Sequence, residues 1–240
     1  MTEEPRKNPA EENQEDFKYF FSQLLTLLPP KAREYVIQYS REILSCVIVV
    51  VLGVVLYSGY SAYSENQEKE AATLLGTALY EKDPDKRIDV LKKVINEHGS
   101  TDASKIALPI LARAYLDRGD KENALKYFEE SEKKTSKNTI IYQTSVLGQG
   151  YILEDKGELE KALQKFDEAV KSAQGIERIA LLDKARVAKE VGKKDLALEA
   201  LNTFLSENPS SQDLEFVKFE ILELKRTAHS DETPKNSKSS

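Results

Sequence analysis

Leu108–Phe128 reads LPILARAYLDRGDKENALKYF, and its pattern decides the fold. Leu108, Leu111, Ala112 and Tyr115 recur at helical spacing, Gly119 interrupts them, and Ala124 and Phe128 resume the period. A glycine there ends the first helix, because the residue past the last turn often takes a left-handed conformation that a missing Cβ permits. Asp120 then stands where the N-cap of a second helix belongs. The small Ala112 lets the two antiparallel helices approach closely. Two further stretches repeat the phrase. One runs Val146, Gly150, Leu153, Gly157, Ala162, Phe166, Ala169; the other runs Leu181, Ala185, Ala188, Gly192, Ala197, Leu201, Phe204, Pro209. In each, a small residue is followed seven positions later by glycine, five further by alanine, and four further by a large apolar residue. The phrases Asp117-Arg118-Gly119-Asp120 and Asp155-Lys156-Gly157-Glu158 are the helix–helix turns.

One such hairpin cannot bury its own apolar face, so neighbours must stack. The order and spacing resemble the tetratricopeptide repeat (TPR) family, whose unit is about 34 residues. From Ala124 to Ala162 is 38 residues and from Ala162 to Ala197 is 35. The longer step implies an extended loop or helix around Ser136–Thr139. A weaker first repeat is placed on Leu74, Gly76, Leu79, Ile88, Leu91 and Ile95, with Asp83-Pro84 in place of the glycine turn. After Asn208-Pro209, Leu214–Leu224 forms one more helix, expected to cap the array. The expected fold is all-α: a single transmembrane helix, then a TPR-like α-solenoid of about four helical hairpins plus a C-terminal capping helix.

Ahead of the repeats lies Ile43–Tyr60, ILSCVIVVVLGVVLYSGY, with no Asp, Glu, Lys or Arg between Glu42 and Glu65. Roughly 20 such residues rise about 30 Å as a helix, the thickness of a bilayer's hydrocarbon. The alternative, a buried core helix, is usually shorter, about 10–14 residues. Ile43-Leu44-Ser45-Cys46 has the look of a lipobox, yet the cysteine begins the apolar run instead of ending it. The run therefore reads as an uncleaved anchor. Lys18, Lys31, Arg33 and Arg41 precede it, whereas Glu65, Glu68 and Glu70 surround a single Lys69 beyond it. The positive-inside rule then puts the N-terminus in the cytoplasm and the large C-terminal part outside. Tyr57, Tyr60 and Tyr63 lie at the outer end as an aromatic belt. With no proline between Pro30 and Pro84, the helix is expected to continue past Tyr63 towards Leu74 as a stalk. Gly53 and Gly59, with Ser58 and Ala62, would permit close approach of a second such helix.

The expected divisions are a disordered cytoplasmic tail over 1–16, a cytoplasmic or interfacial helical segment over 17–42, and the span over 43–63. The repeat domain follows over 64–228, then a disordered tail over 229–240. Within the second division, Phe17, Phe20, Phe21, Leu24, Leu25 and Leu28 have helical spacing. That helix either lies on the membrane surface or packs on a partner. Pro29-Pro30 ends it, and Pro30 can open the next helix at its first position.

A short N-terminal part, one span and a TPR-like domain is similar to the architecture of the YfgM-type family of bacterial inner-membrane proteins. Phe20-Phe21 ahead of the span, a weak first repeat before regular ones, and the terminal Leu- and Lys-rich helix carry the resemblance. It implies an inner-membrane location with a periplasmic repeat domain. It also implies a role ancillary to the Sec translocon, with a periplasmic chaperone and secretory proteins as partners. The alternative is a scaffold tethering another envelope complex, such as division, secretion or cell-wall machinery.

By the TPR resemblance, the first helix of each pair faces a concave groove. The candidate protein-binding residues are Ile106, Arg113, Leu116, Leu147, Tyr151, Glu154, Leu182, Arg186 and Lys189. This mix of apolar and charged groups suits extended or helical segments of other proteins. The lysine–asparagine clamp with which some TPR proteins hold a terminal carboxylate does not match Pro109 and Arg113. Nucleic acid is not expected as a partner, since the net charge is -6 with acids and bases interspersed. No metal site is expected either: Cys46 is the single cysteine, and His98 and His229 stand apart from any ligand cluster. Lacking a phosphate loop, a nucleophile elbow and a dinucleotide fingerprint, the chain is expected to be no enzyme and to take no cofactor or small-molecule substrate.

Overall fold

The computed structural model describes residues 19, 20, 22, 23, 26–172, 175–208, 210 and 212–232, with side chains described as far as Thr227. The expected tail over 1–16, Phe17, Phe21, Leu24, Leu25, Pro209 and residues 233–240 lie outside the described residues. The described residues include ten α-helices. In order they are α1 Pro30–Gln38, α2 Ser40–Tyr80, α3 Pro84–Glu97, α4 Asp102–Asp117 and α5 Lys121–Lys134. Then come α6 Ile140–Asp155, α7 Leu159–Lys171, α8 Glu177–Glu190, α9 Lys194–Glu207 and α10 Leu214–Glu232. No strand occurs among the described residues. The chain divides into two compact units, Met1–Tyr63 and Ser64–Ser240.

In the first unit, Pro30 opens α1 at its first turn, where a missing N–H costs nothing. The helix stops at Tyr39 (φ -106, ψ 26), and α2, which carries the apolar run, begins one residue later. α2 is one helix of 41 residues. None of its apolar window is buried, and every residue from Ile43 to Tyr63 is exposed. The core helix of a soluble domain is mostly buried, and this window is not. By length and composition α2 is apolar enough to cross a membrane.

The second unit stacks helical hairpins: the last turns of α2 with α3, then α4 with α5, α6 with α7 and α8 with α9, closed by α10 against α9. Three of the turns are alike. Gly119, Gly157 and Gly192 have φ of 77, 76 and 77°, a region that Cβ-bearing residues avoid. Around Gly119, the Gly119 N–H donates to Leu116 O (2.8 Å) and the Asp120 N–H to Tyr115 O (2.9 Å). Gly157–Glu158 and Gly192–Lys193 repeat that pair of bonds. This is the Schellman closure, and it satisfies carbonyls that the helix end would otherwise leave open. Asp120 also caps α5, its carboxylate accepting the Asn123 N–H. At the first hairpin Asp83 accepts the N–H groups of Asp85 and Lys86, with Pro84 inside the first turn, as the Asp83-Pro84 substitution for glycine implied. Ser136–Thr139 forms a loop, which accounts for the longer step between repeats.

One expectation is corrected. In the first repeat the buried residues of α2 are Ala71, Leu75 and Ala78, whereas Leu74 and Gly76 are half-buried and Leu79 is exposed. Without a glycine turn nothing fixed the register of that helix, although Leu74 still packs against the core. At the other end α10 continues to Glu232. After Asp213 no glycine or proline interrupts the chain until Pro234.

The core lies in two clusters. One runs from Ala71 through Phe128 with Ile152, the other from Tyr142 to Leu224. Between them α6 brings buried polar groups against α5: Ser145 Oγ lies 2.7 Å from Ser131 Oγ, and Gln149 donates to Glu132 at 2.6 Å. Lys165 of α7 bridges Glu132 (2.9 Å) and Glu168 (3.3 Å) over the same seam. Lys184 of α8, only 5% exposed, pairs with Asp167 of α7 at 2.7 Å. At the start of the array Glu68 of α2 accepts the N–H groups of Asp102 (2.8 Å) and Ala103 (3.0 Å), capping α4 from outside.

Candidate functional site

The first helices of the hairpins, α4, α6 and α8, present one continuous face, and α4 touches α6 directly. Close approach of α6 to its neighbours depends on two glycines. A Cβ at Gly148 would stand 2.4 Å from the Phe128 ring of α5, and one at Gly150 would stand 2.6 Å from the Phe166 ring of α7. Pro109 stands inside α4 on the same side. Lacking an N–H, it leaves one helical hydrogen bond unmade.

One depression on this face, about 430 Å³, is lined by Pro109, Arg113 and Leu116 of α4, Phe128 beneath, Thr144, Leu147, Gly148 and Tyr151 of α6, and Ile176 and Ile179 at α8. It is mostly apolar, with one guanidinium on its wall. Arg113 Nε bonds Asp117 one turn on (3.0 Å) and stays exposed. A second depression, about 310 Å³, lies between α8 and α10 and is lined by Leu182, Arg186, Lys189, Phe216 and Glu220, among others.

A polar network joins α6 to α8 between the two. Tyr151 OH donates to Asp183, and the Tyr151 ring tilts against Phe166 at 5.4 Å. Burial first, then the Asp183 carboxylate, pushes the Tyr151 hydroxyl well above the usual phenol range, so it remains a proton donor. Arg186 Nη2 reaches Glu154 (2.9 Å) and Asp183 (2.9 Å), and its Nη1 also contacts Glu154. The hydrogen bond to Glu154, chiefly, raises the Arg186 guanidinium still further above neutrality. Lys189 pairs with Glu220 of α10.

The structure brings Arg113, Leu116, Leu147 and Tyr151 together in the first depression, where Leu147 is buried. Leu182, Arg186 and Lys189 line the second one. Glu154 lies between them, held by Arg186, and Ile106 is exposed on α4 but lines neither. Three of the charged candidates, Glu154, Arg186 and Lys189, thus already bond a neighbouring helix. Reading the sequence missed Thr144, Gly148, Ile176, Ile179 and Phe216. Gly148 carried a signal, since a mid-helix glycine costs about 1 kcal/mol and needs a packing reason. Among the described residues no group of three His, Cys, Asp or Glu is placed to hold a metal ion. His98, the C-cap of α3, is buried with its Nδ1 2.6 Å from Gln67 Oε1.

The family model described as a tetratricopeptide repeat-like domain matches residues 33–173, more than half of the chain. No curated protein matches the sequence. Among solved structures, a tetratricopeptide repeat protein from Parabacteroides merdae is similar at TM-score 0.53 and 15% identity, covering 68% of this chain and 60% of its own. MamA protein is similar at TM-score 0.50 and 16% identity, covering 70% of this chain and 93% of its own. At such identities the likeness is one of fold alone.

Proposed function

Because the chain belongs to the tetratricopeptide repeat-like domain family, we propose that it is a membrane-anchored interaction subunit whose groove holds segments of other proteins. The observation that carries this reading is the apolar depression between α4, α6 and α8. It offers Leu116, Ile176 and Ile179 to a partner's side chain and Arg113 to a partner's carboxylate or carbonyl. Domains of this kind are usually non-enzymatic, and binding alone needs no reacting group.

The anchor is the apolar part of α2, which crosses the bacterial inner membrane as a single span. Its surface is bare over the whole window. Apolar surface left in water costs about 25 cal/mol per Å², so the 14 exposed Ile, Val, Leu and Tyr side chains from Ile43 to Tyr63 favour lipid strongly. Lys31, Arg33 and Arg41 on one side and Glu65, Glu68 and Glu70 on the other give the direction: N-terminus cytoplasmic, repeats periplasmic. The groove then serves chains on the outer side of the membrane. The specific role is ancillary to the Sec translocon, assisting handover of secretory proteins to a periplasmic chaperone. The YfgM-type architecture supports this role.

The test is photo-crosslinking in intact cells from reactive residues placed at Tyr151 and Ile179. Captured translocon subunits, a folding factor and many secretory chains are the expected result. A single dominant structural partner would replace the reading with that of a scaffold for another envelope complex. No capture at either position would overturn the groove as the binding surface.

A further inference from the structure

The terminal helix α10 is apolar on two opposite faces. Val217, Ile221 and Leu224 pack into the second core cluster. On the other side Phe219 and Leu222 are 57% and 66% exposed, with none of the described helices covering them. Glu215, Phe219, Leu222 and Arg226 succeed one another at steps of four, three and four residues, which puts them in one stripe along the helix. The stripe ends in opposite charges, and both end side chains are exposed.

That order is complementary to its own reverse. Laid antiparallel on a second copy, each Phe219 meets a Leu222 and each Glu215 meets an Arg226. Laid parallel, acid would face acid and base would face base. Lys218 bonds Glu215 within the helix (2.8 Å), and Glu223 bonds Arg226 (2.8 Å). Each end of an antiparallel pair would therefore gather two acids and two bases. A two-fold contact of this kind uses the same patch on both copies.

We propose that a second copy of this chain docks on the outer face of α10, the two helices pairing antiparallel about a two-fold axis between Glu220 and Ile221. The contact is short, and anchoring both copies in one membrane raises their effective concentration enough to populate it. It does not depend on what the groove binds.

The test uses the full chain in membranes, with Cys46→Ala as background. Copies carrying Glu215→Cys and Arg226→Cys, with different tags, are co-expressed and oxidised. The 215–226 disulfide should exceed the 215–215 and 226–226 products by about tenfold, and adding Phe219→Asp with Leu222→Asp should abolish it. In a second series Phe219→Cys is paired with Leu222→Cys. There Glu215→Arg in both copies should suppress the crosslink, and adding Arg226→Glu should restore it, whatever the fate of the aspartate variant. Absence of the 215–226 product, equal yields of all three products, or a crosslink indifferent to the charge exchange would each overturn the proposal.

Discussion

Gly148 of α6 lies directly against Phe128 of α5, so close that a Cβ would stand 2.4 Å from the ring's Cζ. Phe128 in turn lines the depression between α4, α6 and α8. Gly148→Ala would gain about 1 kcal/mol of helix propensity and lose about 1–3 kcal/mol to overpacking. A net destabilisation of up to about 2 kcal/mol is expected in urea unfolding of the full chain. Gly150→Ala should cost as much or more, since Phe166 has no exposed surface into which to shift. Stability equal to or above the parent for both variants would show that α6 can slide without loss.

Gly157 has φ of 76° and closes α6 through the Gly157 N–H to Glu154 O and the Glu158 N–H to Leu153 O. Nothing lies within 4 Å of an added Cβ, so only backbone strain is at issue. Gly157→Ala should therefore cost about 1–2 kcal/mol, and the same change at Gly119 or Gly192 a similar amount. The triple variant should lose close to the sum, the sites being one repeat apart. Thermal unfolding of the three single variants and the triple checks this.

Burial alone would raise the Asp167 carboxyl, but Lys171 and Lys184 outweigh it and hold the group below its usual range. Burial likewise opposes Glu168, and the bonds from Tyr142 and Lys165 hold it low. The folded chain thus binds these protons less readily than the unfolded chain. Their contribution is fully present above the unfolded pKa values, near 4, and is lost as pH falls through the lower folded values. Stability measured from pH 6 down to pH 3 should decline, and Asp167→Asn should flatten that decline. Lys184→Ala leaves Asp167 with Lys171 as its remaining partner, so a loss near the lower end of the range for a broken buried pair, about 3 kcal/mol, is expected at pH 7.

Glu68 of α2 satisfies two N–H groups at the start of α4, and Thr101 satisfies the next through Ser104. Glu68→Ala should cost about 1–2 kcal/mol and expose the Asp102 and Ala103 amides to hydrogen exchange. Glu68→Gln, which keeps one acceptor oxygen, should lose less. Unchanged protection at both amides in Glu68→Ala would mean that water replaces the carboxylate at no cost.

The three regular hairpins were legible because Gly119, Gly157 and Gly192 fix the register of Ala112, Gly150 and Ala185. Where that marker is missing, at Asp83-Pro84, the turn was read but the helix face was not. Glu154, Arg186 and Lys189 were placed on the groove side, yet their bonds to the next helix were invisible, because a charge pattern does not tell a ligand contact from a repeat contact. Glu68 could not be found by local pattern at all. It caps a helix 34 residues further on, and only the stacking brings the two together.

Four of the polar links between successive hairpins have closely similar sequence separations. Gln67 to His98 spans 31 residues, Tyr151 to Asp183 spans 32, Lys165 to Glu132 spans 33 and Asp102 to Glu68 spans 34. Each is one repeat long, so no link waits for a distant part of the chain. A ribosome adding about 5–20 residues per second takes a few seconds to make the next repeat. Helical structures with such local contacts form in microseconds to milliseconds. Every hairpin therefore has time to close on its predecessor before its successor exists, and the array can be built in the order in which it is synthesised.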